Sequence, residues 1–383
     1  MVADVDLGRA DATRTHTLEI AREFARAGLE VELVARGPDP QLENVVYHCA
    51  GGPHLPLPIR VLAVNGRSIA ALVRRWPRAR LCYVRFDWSE IPLLLAARAL
   101  GYRVVTQVDD VPFGRGFQLR RPGPRGLITD YVKRGAARVM GRCAHGVVAV
   151  TGEIKEILVH DFHISEKKIR VLPNGVDIDF FVPIPRDRAI TRSALDPSCQ
   201  YLVFVGHFAS WVDFDTMLGA FALVVGEHRR ARLVLVGDGP ERSKVERLIE
   251  ELGLEQSVQI TGFIADRRRV SVIMGAATVC LSVNRGEHRS RIGVSPVKLA
   301  EYFAVGRAVV ANDLPNVREM VESNGAGIVV ADDAQAMASA IGTLLDDPDY
   351  ADDLGAAGRR AAETSYSWRS VVTRTIPLFG GNG

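Results

Sequence analysis

Short apolar runs alternate with helix-like stretches along the whole chain, and that alternation constrains the fold more than any other feature. Such runs need burial on both faces, and the stretch after each one supplies the cover, which marks an α/β chain with parallel sheets. In the first half, 15–27 reads as a helix ending at Gly28, followed by a strand over 30–35. A strand over 81–85, a helix over 91–100 closed by Gly101 and a strand over 102–108 come next. A helix over 126–144 and strands over 146–150 and 168–172 lead to the turn Pro173-Asn174-Gly175. Met1-Val2-Ala3 reads as the tail of a first strand whose fuller extent would lie upstream.

The second half restarts the series. Strands are expected over 201–205, 232–236, 258–261, 279–283, 308–311 and 327–330, and helices over 214–225, 241–252, 297–305, 334–345 and 350–364. A last segment lies around 368–373. At 383 residues the chain is too long for one core and suits two domains of about 170–190 residues each. The stretch 182–197 holds Pro183, Pro185 and Pro197 without a clear period. The expected division is an N-terminal domain over 1–180, a linker over 181–198, a C-terminal domain over 199–365, and a segment over 366–383 packing back on the N-terminal domain.

Composition excludes several classes. A net charge of +3 gives no case for nucleic acid. Cys49, Cys82, Cys143, Cys199 and Cys280 are scattered and odd in number, which reads as reduced thiols. No apolar run spans a bilayer, and Asp4, Asp6 and Arg9 interrupt any signal-peptide pattern, so a cytoplasmic protein is expected.

Two strings, in order, carry most of the functional signal: Leu172-Pro173-Asn174-Gly175-Val176-Asp177, and Ser295-Pro296-Val297-Lys298-Leu299-Ala300-Glu301-Tyr302. The first reads as a strand ending in a tight turn at a domain junction, a hinge. In the second, Ser295 suits an N-cap and Pro296 the first helical position. The free amides of that turn, with the helix dipole and Lys298, make a cradle for a diphosphate. Glu301 lies one turn along on the same side, able to accept two ribose hydroxyls. An exposed Lys/Glu surface pair is the alternative.

Gly237-Asp238-Gly239-Pro240 follows a strand and opens a helix, so its glycines either admit a ligand or form a tight turn. Arg242 occupies the third glycine position of the dinucleotide fingerprint, which weakens a nicotinamide reading. Asp109-Asp110 closes a strand, where carboxylates face ligands in parallel sheets; a turn cap is the alternative. Arg285, Arg289 and Arg291 form a basic loop suited to an anion. Asp4/Asp6, Asp177/Asp179 and Asp213/Asp215 repeat an Asp-x-Asp string, and such scatter reads as background, with no metal site expected. Within 113–142, Arg115, Arg120, Arg121, Arg125, Lys133, Arg134, Arg138 and Arg142 stand against Asp130 alone, interleaved with Phe113, Phe117, Leu127, Ile128, Tyr131 and Val132. That segment suits either a solvated face or contact with anionic headgroups on the inner face of a membrane.

With these strings in place, nearly the whole chain resembles the large retaining glycosyltransferase family numbered four, of GT-B architecture. The junction string, Val234-Leu235-Val236-Gly237-Asp238-Gly239-Pro240, Thr261-Gly262-Phe263-Ile264, and the block from Ser295 to Gly306-Arg307-Ala308-Val309-Val310-Ala311 carry the likeness. It implies two Rossmann-like domains facing a cleft, a nucleotide-diphosphate sugar held by the C-terminal domain, and a saccharide, lipid-linked or small-molecule acceptor held by the N-terminal one. It also implies chemistry without metal or cofactor.

By position, Glu301 matches the second glutamate of the family's EX7E motif, while the first falls on Gly293, as in a variant G-x-S-P-x-K-x-x-E-Y. The family's diphosphate-clamping arginine and lysine fall on His207 and Val212, beside Gly206. Lys298 and Arg291 are the candidates to replace that charge, with the amides near Val294, Ser295 and Val297. The family's N-terminal histidine falls at Val108-Asp109-Asp110, and Phe263 and Ile264 match the stretch that reads the base. Lys298, Asp109, Asp110 and His207 are therefore the catalytic candidates. The alternatives are a GT-B sugar-nucleotide epimerase and a non-catalytic sugar-nucleotide binder.

Overall fold

The structure, a computed structural model, describes residues 1–8, 12–52, 56–110, 124–285 and 297–380. It forms two compact units, Met1–Asn174 joined by the C-terminal segment from Trp368, and Gly175–Ser367.

The first unit is built on seven parallel strands: β1 (Val2–Asp6), β2 (Val31–Arg36), β3 (Val45–Cys49), β4 (Leu81–Arg85), β5 (Arg103–Val108), β6 (Gly146–Ala149) and β7 (Ile169–Val171). Their order is β3-β2-β1-β4-β5-β6-β7, so the strand order reverses between β1 and β4. Helices Ala12–Arg26, Leu57–Arg75, Ile91–Ala99, Pro124–Cys143 and Gly152–His160 make the crossovers. The central strands are apolar on both faces, as a doubly covered sheet requires; β5 is buried from Val104 to Val108. The C-terminal helix Trp368–Gly380 joins this core, where Trp368, Val371, Val372 and Phe379 pack with Leu18, Phe24 and Tyr83.

The second unit repeats the plan with six parallel strands: β8 (Gln200–Val205), β9 (Ala231–Val236), β10 (Val258–Gly262), β11 (Val279–Ser282), β12 (Ala308–Asn312) and β13 (Gly327–Val330). The order β10-β9-β8-β11-β12-β13 reverses between β8 and β11. One face is covered by helices Arg186–Arg192, Arg267–Ala276, Val297–Ala304, Val317–Glu322 and Pro348–Thr364. The other carries Phe214–Glu227, Arg242–Glu251 and Ala334–Asp346. Aspartates start several of these helices by accepting a first-turn amide: Asp213 from Thr216 (3.2 Å), Asp333 from Ala336 (2.7 Å) and Asp347 from Tyr350 (2.9 Å).

One expectation changes. The stretch 181–198, read as a linker, lies inside the second unit and contains the helix Arg186–Arg192, which starts after Pro185. Phe181 is buried there, and two arginines tie the segment down: Arg307 donates to the Ile184 carbonyl (2.6 Å) and Arg359 to that of Phe181 (2.8 Å). The unit boundary falls at Asn174–Gly175, inside the string read as a domain junction, and Val176 pairs with the returning chain by donating to the Tyr366 carbonyl (2.7 Å). The three Asp-x-Asp strings each have local partners. Asp4 pairs with Arg36 (2.6 Å), Asp177 accepts the amides of Asp179 and Phe180 (3.1 and 3.0 Å), and Asp215 pairs with Lys244 (2.6 Å) and Arg285 (2.8 Å).

Candidate functional site

Chain reversal in a parallel sheet leaves a crevice beyond the carboxyl ends of its strands, where ligands bind. In the second unit the loops after β8, β9 and β10 meet there. Gly206 donates to the Val236 carbonyl (3.0 Å), Phe208 to that of Asp238 (2.9 Å) and Gly237 to that of Gly262 (3.1 Å). The glycines permit this crossing. A Cβ on Gly237, whose φ is +141°, would sit 1.8 Å from the Gly206 carbonyl oxygen; one on Gly239 would sit 2.4 Å from that of Phe208. The open turn at Gly237-Asp238-Gly239 thus serves backbone-to-backbone approach. Asp238 accepts the Gly239 amide (2.8 Å) and pairs with Arg242 (3.0 Å). That amide, with Arg242 behind it, holds the carboxyl below the usual carboxylate range.

Into the same edge comes the helix Val297–Ala304. Its Tyr302 hydroxyl is buried and accepts the Val205 amide at the end of β8 (2.9 Å), which fixes the helix against the switch point. Lys298 stands half exposed on the first turn, its Nζ 3.2 Å from Glu301 Oε2, and Glu301 is buried. His207 is exposed, with its ring 6.4 Å from that of Trp211. Phe263 is 68 % exposed just after β10, while Ile264 packs against the core. Val212, at the position of the family's clamping lysine, is buried in the core and offers no charge. Arg285 is tied to its own loop: its guanidinium pairs with Asp215 (2.8 Å) and its amide donates to the Trp211 carbonyl (2.8 Å). Arg289, Arg291, Gly293, Val294, Ser295 and Pro296 lie outside the described residues.

The first unit gathers charge at the equivalent edge. Asp109 accepts from Arg85 Nε and from Gln107 Nε2 (2.6 Å). Burial would raise its pKa, but Arg85 and the Gln107 bond prevail and hold it below the usual range. The same Gln107 nitrogen lies 2.6 Å from His16 Nε2, and Tyr83 donates to Gln107 Oε1. With Nε2 accepting, the His16 proton sits on Nδ1, a buried atom without a partner among the described residues. Burial presses the imidazole pKa down to about 4.

Beside this network opens a cavity of about 310 Å³ lined by Arg85, Phe86, Asp87, Trp88, Glu90, Asp109 and Asp110. Glu90 is buried, and burial pushes its carboxyl well above the usual range, although the Asp4 and Asp87 amides donate to its two oxygens (3.3 and 3.2 Å). Sequence reasoning brings Asp109 and Asp110 to this place but misses His16, Gln107 and Glu90. The available signal for His16 is its place early in the first helix, at the carboxyl edge of β1.

Comparison with known proteins agrees with this plan. Residues 13–180 match the model for Glycosyltransferase Family 4, and 199–347 the model for Glycosyl transferases group 1. The chain is 25 % identical over 423 residues to a D-inositol 3-phosphate glycosyltransferase of Kineococcus radiotolerans, covering 99 % of this chain and 92 % of that one. It is 29 % identical over 253 residues to the GDP-mannose-dependent alpha-(1-6)-phosphatidylinositol monomannoside mannosyltransferase of Mycolicibacterium smegmatis, covering 65 % and 66 %. Among solved structures, HepE of Anabaena in complex with UDP superposes with a TM-score of 0.73 at 16 % identity, over 100 % of this chain and 99 % of that one. The two family models together match most of the chain, which belongs with the family-4 type of glycosyltransferases and has their GT-B fold of two Rossmann-like domains.

Proposed function

We propose that the chain is a retaining glycosyltransferase that moves a hexose from a nucleotide-diphosphate sugar to a hydroxyl of a saccharide, a lipid-linked saccharide or a small natural product, without metal or cofactor. The observation that carries it is the pair Lys298–Glu301 on the first turns of a helix pinned to the switch point of the second sheet. A departing diphosphate gains negative charge. Amides at a helix start and one ammonium, already aimed there, stabilise that charge without reorganising.

Glu301 suits the ribose: Lys298 occupies Oε2, and Oε1 has no hydrogen-bond partner among the described residues. Phe263 and Ile264 offer their backbone to the base. His207 and Val212 stand where the family carries a basic pair, so Lys298 is assigned the charge. Gly206, Gly237, Asp238 and Gly239 shape the wall. On the acceptor side, the cavity beside Asp109 is of small-ligand size. There Asp110 meets the hydroxyl, while Asp109, locked by Arg85, positions it. In same-face attack the acceptor oxygen bonds to the anomeric carbon as the phosphate oxygen leaves, and that phosphate takes the hydroxyl proton. Relatives whose names carry an inositol phosphate and a phosphatidylinositol monomannoside support a small hydroxylated or lipid-linked acceptor.

The test is Lys298→Ala at saturating donor. Turnover should fall about 100- to 1000-fold, while Lys298→Arg recovers part of it. Unchanged turnover removes Lys298 from the mechanism. Sugar-nucleotide turnover without any acceptor would favour an epimerase, and absence of repeated nucleoside diphosphate release a non-catalytic binder.

A further inference from the structure

The helix Leu57–Arg75 covers the first sheet with Val64, Ser68, Ala71 and Leu72, and turns a second apolar row outward. Ile59, Leu62, Val73 and, at the helix end, Trp76 are each more than half exposed, Leu62 at 74 %. At 100° per residue these positions fall on one stripe, opposite the buried one. An outward row of that length has no use in an isolated folded unit, which normally scatters its exposed apolar residues singly.

Charge says what covers it. From Asn44 to Phe86 the chain has seven arginines and no aspartate or glutamate. Three arginines turn inward: Arg60 lies 2.9 Å from an Asp4 oxygen, Arg75 pairs with Glu32 and Arg85 with Asp109. Arg67, Arg74, Arg78 and Arg80 have no ion pair among the described residues, and Arg67 and Arg74 lie along one flank of the stripe. The neighbouring helix Ile91–Ala99 extends the apolar surface with Leu95, also more than half exposed. A shallow groove beside Leu62, Ala63 and Gly66 opens toward Cys49–Gly51, with Arg67 on its rim.

We propose that this outer face rests on an anionic bilayer surface, with the Leu57–Arg75 helix in the interfacial plane. Leu62, Val73 and Trp76 enter the acyl boundary, and Arg67, Arg74 and Arg78 meet lipid phosphates. A straight apolar stripe flanked by long cationic side chains has the form of an interfacial helix, in which arginines keep their heads in the polar layer. Nucleic acid would answer the arginines but leave the leucine–tryptophan row wet. The contact differs from the basic segment 113–142, and it would place the acceptor cavity of the same unit next to lipid.

The test uses the full chain and vesicles of phosphatidylcholine, with or without about 30 % phosphatidylglycerol. The expected result is cosedimentation with anionic vesicles at low salt, about tenfold weaker with neutral vesicles or high salt. A blue shift of tryptophan emission should accompany it and vanish in Trp76→Phe. Leu62→Glu and the double variant Arg67→Glu/Arg74→Glu, both at exposed positions, should each weaken binding about tenfold with the melting temperature kept. Should Leu62→Glu fail to fold, the arginine pair and the Trp76 shift still decide. Undiminished binding of the variants, equal binding to neutral vesicles, no binding at low salt, or an equal Trp76 shift with RNA overturns the proposal. Nucleotide thermal shift in the same samples reports the donor site separately.

Discussion

The two sheets share one strand order through their first six strands, yet they furnish their carboxyl edges by opposite means. In the second unit glycines let Gly206, Gly237 and Gly262 close on one another, and a half-exposed lysine stands at a helix start. Main-chain groups do most of the shaping. In the first unit side chains do it, by burying charge and cancelling it locally: Arg85 against Asp109, Arg36 and Arg60 around Asp4, Glu90 pushed by burial toward its neutral form, His16 neutral. A backbone-built edge suits a ligand part common to many substrates, such as a diphosphate. A side-chain edge suits one that varies, because side chains change without refolding the sheet.

The comparison breaks first at Gly237. Alanine there must hold φ near +141° and put a methyl 1.8 Å from the Gly206 carbonyl oxygen. Backbone has to move, and the expected loss is about 3–5 kcal/mol of stability. Gly253 is the control: its φ is +65°, and a Cβ would meet nothing within 4 Å. Gly253→Ala should cost about 1 kcal/mol. Urea denaturation of both variants checks the pair. Similar losses would mean that the loops after β8 and β9 do not need their close crossing.

The side-chain edge should show itself in pH dependence. His16 titrates near pH 4 when folded and 6.5 when unfolded. Above pH 6.5 both states hold it neutral. Between 6.5 and about 4 only the unfolded chain takes up the proton, so stability falls as pH falls, by about 3 kcal/mol over the window. Glu90 acts with the opposite sign: the folded chain keeps a proton that the unfolded chain releases above about pH 4.5, so stability falls as pH rises. The difference between wild type and His16→Gln, measured by urea denaturation at pH 7, 5.5 and 4, isolates the histidine. Parallel curves would remove the neutral buried imidazole.

Much of the fold is legible because apolar runs are local signals: β4 and β13 lie where the runs place them, at Leu81–Arg85 and Gly327–Val330. The misses have physical reasons. β3 is an edge strand, only partly buried, and carries Tyr47 and His48 among its residues. The Leu57–Arg75 helix opens on Leu-Pro and contains Asn65, which looks like a breaker. In the structure Asn65 donates to the Ser89 carbonyl (2.9 Å) and accepts the Leu93 amide (3.1 Å), holding the next helix in place. Arg186–Arg192 hides behind its prolines, although one of them starts it. Of the candidate sites, the string around Lys298 and Glu301 is visible because both partners share one helical turn. His16 and Gln107 are 91 residues apart and meet only when β1 and β5 enter one sheet. No spacing announces that pair.

The smallest expected effect sharpens the contrast between the edges most directly. If the second unit holds its ligand chiefly through backbone, removing its one buried carboxylate on the pinned helix should cost a bounded amount. Glu301→Gln keeps an oxygen able to accept a hydroxyl but loses the charge that pairs with Lys298; Glu301→Ala loses both. Nucleoside diphosphate affinity by calorimetry should therefore fall by about 1–3 kcal/mol in the alanine variant and by less in the glutamine variant. Lys298, released from its partner at 3.2 Å, becomes more available to a phosphate and offsets part of the loss in both. Equal affinity in wild type and Glu301→Ala would assign that carboxylate to Lys298 alone, and the ribose to some other group on the edge.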